Sequence, residues 1–209
     1  MPSNLSLMRP EDCALVLVDL QAGLAFGVGS EDRQVLLNNA VALARTARVF
    51  GLSVVASTSA SKVYSGPMMP AVQAAVPDVA PIERRSMNVW EDDHVRAAIE
   101  AMGRKRLLIS GLVTEACVTF GALSAMASGF EVLVVADACG GVTPTSHDLA
   151  LRRMEAGGAT MTSWIQVLLE FQRDWTRKET YTSARAIVES NGGGYGIGLA
   201  YSRDMIHPA

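Results

Sequence analysis

The 209-residue chain has no run of about 18 apolar residues, the length needed to cross a bilayer, so no membrane partner is expected. It has no excess of basic charge: 18 Lys and Arg stand against 21 Asp and Glu, a formal net charge of −3. Without a basic stripe to meet phosphates, no nucleic acid partner is expected. Cysteine is scarce. Cys13, Cys117 and Cys139 make an odd count with no CxxC pair, which excludes a disulfide framework and a zinc ribbon. His94, His147 and His207 are scattered, and no two stand at metal-ligand spacing. The opening segment, MPSNLSLMRPED, lacks the apolar stretch of a secretory signal, and reduced thiols fit a cytoplasmic location. There are no internal repeats.

Apolar residues are plentiful, at 49%, with 19% charged, enough for a sizeable core in a single domain. They fall in short continuous runs: CALVLVD at 13–19, SVVAS at 53–57, RLLIS at 106–110, EVLVVA at 131–136, and 159–162. Such runs fit strands buried on both faces, the mark of a parallel sheet. Another strand leads into 82–85. Helix-like spacing covers 32–50, 93–102, 118–128 and 146–156, each closed by glycine at 51, 103, 129 or 157–158. Four helix–glycine–strand passages predict βαβ units and about six parallel strands with helices on both faces, a doubly wound α/β sheet. The segment 164–175 reads as a last core helix and 179–190 as a separate amphipathic one. GGGYGIG at 192–198 is too glycine-rich to hold regular structure alone. It resembles a phosphate loop only superficially, because no strand precedes it and no helix follows.

In such a sheet, ligands bind beyond the carboxyl ends of the strands. The first run ends in Asp19, followed by Leu20 and Gln21; the third ends in Arg84 and Arg85; the fourth feeds a turn, 111–117, that ends in Cys117. Cys117 falls in the first turn of a helix, where the dipole and unpaired amides should lower a thiol pKa and could hold an oxyanion. Each residue alone has a plainer reading. Cys117 could be a small core residue, Asp19 a turn cap, and the arginines solvated charges. Together, a thiol, a carboxylate and a cation at three strand ends meet the needs of nucleophilic catalysis.

Three segments carry a resemblance: ALVLVDLQAGL at 14–24, ERRSMNVWEDD at 83–93, and LLISGLVTEACVTFGALSAMASGFEVLVVADACGG at 107–141. The chain resembles the isochorismatase-like cysteine hydrolases over about 12–175, and within them the YcaC-type branch, which shares DxQAGL, NVW, GLVTEACV and RDW at 173–175. The resemblance implies a triad of base Asp19, nucleophile Cys117 and a cation. The family lysine lies six residues before an aromatic; counting back from Trp90 gives Arg84, and no lysine occurs between Lys62 and Lys105. An arginine keeps the charge and can grip a carboxylate with two donors. Arg85 is the competitor one residue away. The family also has a cis peptide before the motif threonine, here Val113–Thr114, which would aim the Thr114 and Cys117 amides at an oxyanion.

Nicotinamidase-type members bind a metal through an Asp-x-His pair after strand two. Here that stretch reads Ser57-Thr58-Ser59-Ala60-Ser61, so no metal and no cofactor are expected. The resemblance thus implies hydrolysis of a C–N bond in a small amide or carbamoyl substrate through a thioester. Gln21, Leu24, Phe26, Met87, Trp90 and Val113 are the expected pocket walls. A silent or redox-sensing relative using a low-pKa Cys117 is the alternative. The resemblance implies self-association as a tetramer or octamer. The domain is expected over 1–178. A tail over 179–209, helical then glycine-rich, would pack on a neighbouring subunit or stay mobile.

Overall fold

The computed structural model describes residues 6–206. Six parallel strands form one sheet in the order β3-β2-β1-β4-β5-β6: β1 Cys13–Val18, β2 Ser53–Ser59, β3 Ile82–Arg84, β4 Arg106–Gly111, β5 Glu131–Val135 and β6 Thr160–Thr162. This is the expected doubly wound α/β sheet. Order reverses between β1 and β4, whose register runs from Cys13 opposite Arg106 to Val18 opposite Gly111. That reversal opens a crevice at the strands' carboxyl ends.

The alternation of β1 explains the continuous apolar run. Cys13, Leu15 and Leu17 enter one core, and Ala14, Val16 and Val18 enter the other. The first core is closed by four helices: α2 Arg33–Val49, α3 Pro70–Ala75, α7 Trp164–Gln172 and α8 Lys178–Asn191. The second is closed by α4 Asp93–Ala101, α5 Thr119–Ala127 and α6 Pro144–Ala156. Local signals set the ends of these helices. Asp32 caps α2 by accepting from the Gln34 and Val35 amides, and Asp92 caps α4 in the same way. Thr143 and Ser146 form a reciprocal cap on α6. Gly51 follows α2 with φ +67°, a conformation that an L side chain rarely adopts.

Two short helices carried no clear sequence signal, α1 Ala22–Ala25 and α3. At four and six residues they are too short to show a helical period. The expected last core helix stops at Gln172 because Arg173 turns to φ 53°. The tail is more regular than expected. α8 buries Ala184, Ile187 and Val188 in its own chain's core, and the glycine-rich stretch forms α9 Gly193–Tyr201 against it. Gly196 lies 2.3 Å, at its would-be Cβ, from the Val188 carbonyl, so the glycines let α9 sit directly on α8. Among the described residues no helix is long and apolar enough to cross a membrane. His207 lies outside the described residues.

Candidate active site

Asp19 follows the last residue of β1 and leaves the strand with φ 54°. Its amide donates to the Ser57 carbonyl at 3.0 Å, which continues the ladder by one bond while the chain turns. The left-handed conformation is one that Asp tolerates better than most residues. Its side chain is fully buried.

Arg84 ends β3, two strands away. Its register partner is Ser59, and Ser57 stands opposite Ile82. Side chains two apart on a strand share a face, so Arg84 lies on the same face as Ser57 and Ser59, over whose short side chains it reaches toward β1. Arg84 Nη2 donates to Asp19 Oδ2 at 2.6 Å, and Nη1 donates to Oδ1. Nη2 also donates to the Met87 carbonyl at 3.2 Å. Burial works against the guanidinium charge, but the hydrogen bonds and charge of Asp19 outweigh it and hold the Arg84 pKa above its ordinary value. The geometry places Arg84, not Arg85, against Asp19.

Cys117 is delivered by β4. Gly111 closes that strand so near β1 that a Cβ would lie 2.1 Å from the Val18 carbonyl. Only glycine allows the following turn to pass beside Asp19. A single π-helical turn, Thr114–Val118, then carries Cys117 into α5. The charges of the Asp19 carboxylate and the Arg84 guanidinium both act on the thiol. It is 8% exposed and opens into a cavity of about 490 Å³.

The thiol pKa is opposite to the expectation. Burial first, and then the Asp19 charge, push Cys117 up to about 12, and Arg84 only partly offsets them. Burial and the adjacent carboxylate thus favour the protonated thiol over the thiolate. Cys13 and Cys139 are also pushed up to about 12, mainly by burial, and both are closed off in the core.

The expected cis peptide is absent among the described residues. Val113–Thr114 is trans, and Val113 itself is left-handed, φ 57° and ψ 64°. This is a rare conformation for a β-branched residue. Nor is the Thr114 amide free for an oxyanion. It donates to the Gly140 carbonyl at 3.0 Å. Thr119 Oγ1 donates to the Thr114 carbonyl at 2.6 Å, and Thr114 Oγ1 is 2.9 Å from His147 Nδ1. Thr114 thus anchors the turn.

Of the expected walls, Leu24, Met87 and Val113 line the cavity. Phe26 does not; it lies just past α1 and is 78% exposed. Trp90 is buried edge-on against Phe130 in the second core. Gln21 is fully buried and acts as a strap. Its Oε1 accepts from the Ser59 amide at 2.9 Å, and its Nε2 donates to the Ser59 carbonyl at 3.0 Å and to the Gly66 carbonyl. Nearby, Gly23 passes so close to the Tyr64 carbonyl that a Cβ would lie 2.2 Å from it. The loop so fastened brings Ala60 and Tyr64 into the cavity wall, beside Ala116. Sequence reasoning missed both, since a loop after β2 carries no period to read. Among the described residues no group of three or more His, Cys, Asp or Glu could hold a metal ion.

The family model for the isochorismatase domain matches residues 13–166. The probable hydrolase YcaC of Escherichia coli strain K12 is 39% identical over 165 residues, 78% of this chain and 79% of that protein. Two solved structures are similar throughout. YcaC from Pseudomonas aeruginosa, with hexane-2,5-diol and covalent acrylamide, aligns with TM-score 0.89 and 35% identity over 93% of this chain and 96% of that one. YcaC from Escherichia coli, described as an octameric hydrolase of unknown specificity, aligns with TM-score 0.90 and 35% identity over 96% of this chain and 97% of that one.

Proposed function

The chain belongs to the isochorismatase family of hydrolases, and from that premise we propose that it cleaves a C–N bond of a small amide or carbamoyl compound through a Cys117 thioester. The observation that carries this reading is the buried, two-pronged Asp19–Arg84 pair within reach of a thiol that opens into a cavity.

Since the thiol is protonated at rest, attack and deprotonation occur together. Cys117 Sγ bonds to the carbonyl carbon as its proton passes to an Asp19 oxygen. Arg84 holds that carboxylate in place and offsets the charge near the sulfur. The Cys117 backbone amide is the oxyanion donor in this reading, since the Thr114 amide is taken. Collapse of the adduct breaks the C–N bond, and the proton on Asp19 goes to the departing nitrogen. Ammonia or an amine leaves and a thioester remains. Water then adds to the thioester, its proton returns to sulfur by way of Asp19, and the acid is released. No metal or cofactor enters these steps.

Covalent acrylamide in the Pseudomonas aeruginosa relative supports a reactive nucleophile in this fold. The octameric Escherichia coli relative supports self-association of this chain as a tetramer or octamer. Intact-mass measurement during incubation with a panel of small amides tests the chemistry. A transient acyl adduct, absent from Cys117→Ala, is expected. Amide turnover that persists in Cys117→Ala would remove the cysteine from the mechanism.

A further inference from the structure

Arg85 is the one charged residue singled out in the sequence that the triad leaves unused. It follows Arg84 in the bend after β3 and is exposed, in the wall of the cavity into which Cys117 opens. Among the described residues it makes no hydrogen bond or ion pair, while every other charge in that wall is committed. Arg84 is gripped by Asp19. Both oxygens of Glu83 are occupied: Oε1 accepts from the Ser61 amide at 3.0 Å, and Oε2 from Thr58 Oγ1 at 2.8 Å. Burial works against its charge, but the Ser61 and Thr58 donors outweigh it and hold the Glu83 pKa below its ordinary value. A second donor is also untaken. Arg84 Nε is buried and has no hydrogen-bond partner.

Much of the remaining wall is apolar: Leu24, Ala60, Tyr64, Met87, Val113 and Ala116. A cation in the wall of such a cleft attracts anions into it. Guanidinium matches a carboxylate with two parallel donors.

We propose that Arg85 is a specificity-determining residue that binds a carboxylate on the substrate, so that the substrate class is a small amide bearing an anionic group away from the scissile bond. This rests on the amide-hydrolase reading of the same cavity. Such a substrate would present its carbonyl to Cys117 and its carboxylate to Arg85. A neutral amide of equal size would lose the second contact.

The test uses alkylating probes of the same size and different charge, read at Cys117 by peptide mapping. The ratio of the iodoacetate rate to the iodoacetamide rate reports the anion preference of the cavity without requiring turnover. Arg85→Ala is expected to lower that ratio about three- to tenfold, and Arg85→Lys to restore most of it. Raising the salt concentration should shrink the difference. In a second arm, succinamate and its neutral counterpart butyramide are compared as substrates, and succinamate should be preferred in the native protein but not in Arg85→Ala. An unchanged probe ratio in Arg85→Ala overturns the proposal even if amides are hydrolysed. If no amide is hydrolysed but the ratio falls, anion binding by Arg85 stands and the hydrolase reading is what fails.

Discussion

Asp19 and Arg84 are 65 residues apart in the chain and meet in a fully buried ion pair with two hydrogen bonds, directly beside the Cys117 thiol. Three strand ends, β1, β3 and the turn after β4, converge on that pair. The two charges act on the thiol in opposite directions, Asp19 raising its pKa and Arg84 lowering it.

Arg84→Ala leaves Asp19 buried and uncompensated. The thiol pKa should then rise above about 12, because the cation that lowers it has gone. An opposite charge at this range is worth ~1–3 units. Alkylation of Cys117 by iodoacetamide at fixed pH should fall accordingly. Removing one partner of a buried pair also costs about 3–5 kcal/mol of stability, measurable by urea unfolding. Arg84→Lys should recover part of the rate and less of the stability, since the charge returns without the two-pronged grip. A thiol profile indifferent to both substitutions would separate Arg84 from the chemistry.

Asp19→Asn separates acidity from catalysis. It removes the negative charge that raises the thiol pKa, so simple alkylation at Cys117 should become faster at neutral pH. It also removes the proposed base, so amide turnover should be lost. Loss of both activities together would mean that Asp19 acts only by holding the fold.

The three thiols should differ in access rather than acidity. All are pushed up to about 12, but Cys117 lines the cavity while Cys13 and Cys139 are closed off in the core. Iodoacetamide should label Cys117 first, slowly at neutral pH and faster as pH rises, with Cys13 and Cys139 reacting only on unfolding. Early labelling of either core thiol would contradict the burial of both.

Stability should decline in alkali. An unfolded thiol loses its proton near 9.0, while the folded ones keep theirs to about 12. Between those values the native state binds more protons than the unfolded state, so stability falls as pH rises through that window and is fully present below it. The slope reaches at most ~1.4 kcal/mol per pH unit for each thiol. Urea midpoints measured from pH 8 to 11 report it, and replacing Cys139 by Ala should flatten the curve.

Gln21→Leu should loosen the loop that carries Ala60 and Tyr64. It leaves the Ser59 amide, the Ser59 carbonyl and the Gly66 carbonyl without their partner. Each orphaned group costs about 1–3 kcal/mol if water cannot reach it. Hydrogen exchange over residues 59–66 should quicken, with β1 and β4 unaffected.

Self-association should involve α9. Tyr195, Ile197, Tyr201 and Met205 are exposed along it and the turn beyond. A tetramer or octamer is expected by light scattering, and Ile197→Asp should shift it toward smaller species. A stable monomer of the native chain at micromolar concentration would rule out the assembly.

The sequence by itself determined the parallel sheet. Continuous apolar runs such as 13–19 are stable only when buried on both faces, and the glycines at 51, 103 and 129 end helices by local conformation alone. It also determined which residues stand at strand ends, and so brought Asp19, Arg84 and Cys117 to one crevice. Tertiary structure decided what those residues are to each other. Helix position argued for an acidic thiol, and burial beside Asp19 made it a weakly acidic one. Arg84 and Arg85 are adjacent in the chain, but Arg84 ends β3 buried against Asp19, while Arg85 lies in the bend beyond the strand, exposed in the cavity wall. Gln21 and Trp90 became framework, and Phe26 moved to the surface, because their surroundings come from a loop after β2, from Phe130 and from the end of α1. A period in the chain records which face a residue occupies. It does not record which distant segment covers that face, and burial, charge and reach all depend on the cover.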